Sequence, residues 1–103
     1  MDDMRKLEAL RNWLLSDDGS KGLVKASAVR AYEMMASYLR ARLSEGRFKN
    51  VAGLRCFAHN LEQAIRSDMR HGADQEDGKA MLAFWSNALA FLGREADGEE
   101  SGN

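Results

Sequence analysis

The sequence predicts an all-α fold: a compact four-helix domain over residues 1–93, built on a central antiparallel helical hairpin, with a disordered acidic tail over 94–103. Three observations carry this expectation. Four stretches repeat apolar residues at spacings of three and four, which places them on one face of a 3.6-residue helix. No stretch alternates with period two over a strand length. The 103 residues include no proline, so nothing breaks a helix by that route.

The first helix is expected from about Asp3 to Leu15, where Met4, Leu7, Leu10 and Leu14 share a face and Trp13 falls beside it. Asp2 or Asp3 is placed to cap its free N–H groups and oppose the positive helix end. From Ser16 to Gly22, two glycines lie among short polar residues, a composition that favours turns. The second helix is expected from about Leu23 to Glu45. Val29, Tyr32, Ala36, Leu39 and Leu43 give it the seam spacing of close helix packing. Gly46 stands where a left-handed residue would end it.

Asn50 is a good N-cap for the third helix, which should run to about His71. Val51, Leu54, Ala58, Leu61 and Ile65 repeat the same spacing, Phe57 widens the stripe, and Gly72 is the expected stop. Two helices of this kind joined by a short link predict the antiparallel hairpin. The fourth helix is expected from about Lys79 to Leu92, with Gly93 as its stop. Of the 13 residues from Ala80 to Leu92, 11 are apolar. Met81, Leu82, Phe84, Trp85, Leu89, Phe91 and Leu92 then span about half the helix circumference, against the ~100° arc of an ordinary surface helix. Such a helix is either the centre of the core or part of an oligomer interface. From Arg94 onward there is no large apolar side chain, and Glu95, Asp97, Glu99 and Glu100 read as a solvated tail.

Composition narrows the functional classes. With 45% hydrophobic and 30% charged residues, the chain has the balance of a folded globular protein. A single cysteine excludes an intrachain disulfide framework. No apolar run approaches the ~18 residues of a membrane span. Asp2 and Asp3 stand where a secretory leader would carry Lys or Arg, so a cytoplasmic location is expected.

Little points to catalysis. Cys56 and His59 lie three apart on the third helix, a spacing that suits two zinc ligands. No second Cys/His pair completes a site, so no metal is expected, and Cys56 reads as a small half-buried residue. There is no glycine-rich phosphate motif, because the glycines fall at expected helix ends and links. No pair of acids sits inside an apolar stripe to give a general acid and base, and Glu33 is expected at a stripe edge. The expectation is a protein without catalytic residues or cofactor.

Charge is distributed in blocks. The formal net charge of -1 conceals a middle block, residues 21–72, in which ten Lys or Arg face only Glu33, Glu45, Glu62 and Asp68. Acidic blocks flank it on both sides. Methionine packs adaptably at protein-binding surfaces, and Met34 and Met35 are adjacent on the second helix, so they cannot both face one seam. The expected function is therefore a small regulatory protein. It would sequester or inhibit a larger partner, such as a transcription regulator, through apolar helix faces. Met34, Met35, Tyr38, Arg42, Trp85 and Phe91 are the expected contacts, with the basic block steering an acidic surface toward them. A homodimer built on the third and fourth helices, or on the fourth alone, is also expected. The alternative is DNA binding through the basic turn between helices two and three. Arg40, Arg42, Arg47, Lys49, Asn50 and Arg55 would then meet phosphates at a helix N-terminus.

Overall fold

The computed structural model describes residues 2–101, with side chains through Arg94. It contains four α-helices: α1 (Asp3–Ser16), α2 (Ala26–Ser44), α3 (Val51–Arg70) and α4 (Gln75–Ser101). A short 3-10 turn, Gly19–Gly22, lies between the first two. Three of the four starts have a side-chain cap; α2, which follows Lys25, has none. Asp2 caps α1 by accepting the Met4 N–H at 3.0 Å, and Asn50 caps α3 by accepting the Gly53 N–H at 2.7 Å. Asp74 does the same for α4, accepting the Asp77 N–H at 3.0 Å. After α2 and α3 the chain turns through Gly46 and Gly72 at φ 68° and 103°, a conformation that L side chains rarely adopt.

The core confirms most of the stripes. Leu7, Leu10 and Leu14 of α1, Tyr32 and Leu39 of α2, and Leu54, Ala58 and Ile65 of α3 are buried. Met4 departs from its stripe and is exposed. Residue Glu62, also on α3, is buried at the core's edge, where its carboxylate meets the His59 ring nitrogen at 3.0 Å.

Three expectations about the helices need correction. α2 begins at Ala26 rather than Leu23, because Leu23 follows the 3-10 turn in extended conformation and Lys25 is extended as well. α4 begins four residues earlier than expected, at its Asp74 cap, and continues through Gly93 to Ser101. Gly78 and Gly93 are therefore interior helix residues rather than links or stops. The acidic side chains from Glu95 onward, on which the expectation of a disordered tail rested, lie outside the described residues. Finally, the closest helix pairings are α2 with α4 and α3 with α4, while α2 and α3 meet mainly through side chains near their connecting turn. The hairpin connection exists, but α4 is the helix around which the domain is built.

The broad apolar arc of α4 explains that arrangement. Ala80, Phe84, Trp85, Ala88 and Leu92 are buried, and α1, α2 and α3 all pack against this helix. An arc of half the circumference needs more than one neighbour, and three are present. All eight aromatic residues then join in one series of ring contacts. Phe91 stacks on Trp13 at 5.5 Å, and Trp13 lies 6.4 Å from Phe84. Phe84 meets Tyr32 edge-on at 5.4 Å and Trp85 at 5.0 Å. Trp85 meets Phe57 at 5.9 Å, and Phe57 meets both Phe48 at 5.3 Å and Tyr38 at 5.9 Å. Edge-to-face geometry favours such pairs beyond their buried area.

Candidate protein-docking surface

The residues expected to touch a partner divide into two groups. Trp85 is fully buried, and its indole N–H donates to the Met35 sulfur at 3.3 Å. Trp85 therefore belongs to the core and not to a contact surface, and half-buried Met35 is held against it. Phe91 is half-buried and covered by Trp13. The apolar face of α4, proposed from sequence as a dimer interface, is occupied within the chain itself. Met34 and Tyr38, by contrast, are 56% and 39% exposed. They lie four residues apart, one turn along the outer face of α2.

Beside them stands Arg42. Its Nη1 donates to the Tyr38 hydroxyl at 3.1 Å. The guanidinium carbon lies 4.7 Å from the Phe57 ring centre, 5.4 Å from Tyr38 and 5.9 Å from Phe48. Cation–π attraction to three rings holds this charge in place. Among the described residues Arg42 enters no salt bridge, and its buried Nε has no hydrogen-bond partner. The result is a cation fixed in position without a neutralising carboxylate, next to an exposed thioether and an exposed phenol. Phe48 and Phe57 complete this corner, and neither is among the contacts expected from the sequence. The available signal was a phenylalanine flanked by Arg47 and Lys49 in the turn.

The residues of the nucleic-acid alternative lie in differing surroundings. Arg40 and Arg42 are two apart on a helix and so point about 200° apart. Arg40 lies with Leu14, Asp17, Ser20, Tyr32 and Glu33 around a cavity of about 160 Å³ on another side of α2. Arg47 pairs with Glu45 at 3.4 Å. Lys49 is exposed and Arg55 half-buried. The N-terminus of α3, which a phosphate would need, already has protein acceptors. The Val51 N–H donates to the Asp3 carboxylate at 3.0 Å and the Gly53 N–H to Asn50. A carboxylate at that end repels a second anion.

Other sequence candidates are dispersed. Cys56 is exposed rather than half-buried, since position 56 falls outside the α3 stripe. Its thiol has a long contact, 3.9 Å, from the Asn60 amide. His59 turns to Glu62. Glu33 is exposed, and among the described residues no group of three His, Cys, Asp or Glu converges. No helix among them is long and apolar enough to cross a membrane.

Two polar contacts fasten the far end of the bundle, and neither was anticipated. Lys25 pairs with Asp74 at 2.5 Å, and the Ser27 hydroxyl donates to Asp77 at 2.6 Å, tying the start of α2 to that of α4. The hydrogen bond to Lys25 holds the Asp74 carboxyl below its ordinary pKa, and the same bond raises Lys25. Comparison of the chain with protein-family models, curated proteins and solved structures finds no match.

Proposed function

We propose that the protein is a non-catalytic regulator that binds a larger protein through the outer face of α2. The observation that carries this reading is the exposed Met34–Tyr38 pair beside the ring-held Arg42. Tyrosine and arginine are enriched among the residues that dominate binding energy, and methionine adapts to varied apolar surfaces. A guanidinium already fixed by three rings loses little further freedom when an acidic group meets it. The basic middle block of the chain steers an acidic surface toward this face and rejects a basic one. The partner that fits is thus an acidic surface with an apolar centre, such as that of a transcription regulator sequestered by occlusion.

The test is capture from the native host with wild type and Met34→Glu side by side. Met34 is exposed, so its replacement leaves the helical circular dichroism unchanged. One dominant protein retained by wild type and weakened at least about tenfold by Met34→Glu supports the reading. Equal retention by both proteins, or recovery only of nucleic acid released by salt, overturns it.

A further inference from the structure

A second surface lies at the opposite end of α2, away from the basic turn. Leu23, Val24, Lys25 and Ala28 face Glu76, Lys79, Ala80 and Ala83 of α4 across an open groove of about 400 Å³. Its floor is apolar, with Ala28 and Ala80 buried. On its lip Val24 is 100% exposed, a branched apolar side chain with nothing covering it. From the groove residues Lys79 and Ala83, the exposed face of α4 continues through Ser86, Asn87 and Ala90. Their spacing of three and four puts them in one stripe. Apart from Lys79 and Asn87 these side chains are small enough for a second helix to approach at the short end of the 8–10 Å packing range.

We infer that this face binds a second copy of the chain about a twofold axis, each Val24 entering the other's groove. The surface is self-complementary. An isologous interface needs one patch to carry both a projection and its receptacle, and Val24 and the groove are neighbours on one surface. The charges on the rim agree. Glu76 and Lys79 flank the groove one turn apart and enter no salt bridge among the described residues. A twofold axis sets each Glu76 against the other copy's Lys79. Lys25 is already neutralised by Asp74, so it adds no repulsion. The α2 corner lacks this property, because two copies there would oppose arginine to arginine. With the axis beside the first turns of α4, contact centres on Val24, the groove and its rim. A patch confined to one groove and its rim is small for a specific interface, so a micromolar dimer is the result to look for. This surface is separate from the α2 docking face, and the two stand or fall independently.

Sedimentation equilibrium of the full chain from about 1 to 100 µM tests the inference. Wild type should dimerise. Val24→Asp should be monomeric across the range with an unchanged melting temperature, because the side chain contributes nothing to the monomer core. Glu76→Lys alone and Lys79→Glu alone should each weaken the dimer about tenfold by opposing like charges. Combining both restores the opposite-charge pairing, and dimerisation should recover. A wild type that is monomeric at every concentration overturns the proposal. So does a dimer indifferent to Val24→Asp, or one in which the double exchange is no better than the singles.

Discussion

Tyr32 shows how one residue can stand in a hydrophobic stripe and still direct the chain around it. Its spacing on α2 marks it as core, and it is 3% exposed. The hydroxyl still finds partners: it donates to Asp17 at 2.8 Å and accepts from the Asn87 amide at 3.1 Å. One buried phenol thereby joins the end of α1, the middle of α2 and the outer edge of α4. Burial is the main reason its pKa is pushed up to about 12, the Asn87 hydrogen bond opposes this, and the Asp17 carboxylate adds to it. A folded pKa above the ordinary 10.0 means that the stabilisation is complete below pH 10 and is lost as pH rises toward 12. The loss should be on the order of 2 kcal/mol. Denaturant melts from pH 9 to about 12 check it, and Tyr32→Phe should flatten the alkaline decline. That variant should also be about 1–2 kcal/mol less stable at neutral pH, since Asp17 and Asn87 lose their partner. Unfolding that begins well below pH 10, or an identical decline in Tyr32→Phe, would contradict the assignment. The stripe made Tyr32's burial legible, but its two polar partners come from loop and helix positions that no periodicity relates to it.

At the scale of elements, capping and stripes were readable because both are local. Asp2 and Asn50 act on N–H groups two or three residues away, and Gly46 and Gly72 meet a backbone requirement within a single turn. Glycine inside a helix is not legible in this way, for the complementary reason: a sequence gives its low propensity but not the packing that overrides it. Gly78 and Gly93 separate the two cases. A methyl group added at Gly78 would lie 2.5 Å from Met69 Cγ and Sδ, so α3 and α4 approach closely there because no side chain intervenes. At Gly93 the same methyl would meet nothing within 4 Å. One substitution should thus have opposite signs at two positions in one helix. Gly93→Ala should stabilise the fold by about 0.5–1 kcal/mol through the unfolded chain's lost freedom. Gly78→Ala should lower stability as the last turn of α3 shifts to make room. Paired thermal melts decide it, and a gain at both positions would show that Met69 yields freely. Trp85 belongs to this scale too. Removing a large, fully buried ring with Trp85→Ala should cost about 3–5 kcal/mol, far more than a partner contact would.

For the whole molecule, the sequence indicates four helices but leaves their centre open between the α2–α3 hairpin and α4. Matching seams on α2 and α3, joined by a short turn, made a hairpin the economical arrangement, since neighbours in sequence usually pack. What displaced it is the half-circumference of bulky residues on α4, which only a central position covers. The core is correspondingly non-local. Trp85 reaches Met35 fifty residues away, and Lys25–Asp74 and Ser27–Asp77 close the bundle over similar spans. A chain ending at residue 74 distinguishes the two architectures. If α2 and α3 formed a self-sufficient hairpin, it would keep most of its helicity and unfold cooperatively. With α4 at the centre, that chain loses Phe84, Trp85 and Leu92 and leaves Leu10, Leu39 and Leu54 without their cover. Isolated helices of this length are marginal in water. The truncated chain should therefore show weak helical circular dichroism and no cooperative melt. Adding residues 75–103 as a separate peptide should restore a transition, because the peptide supplies the missing apolar face. A sharp melt in the 1–74 chain alone would return the centre of the fold to the hairpin.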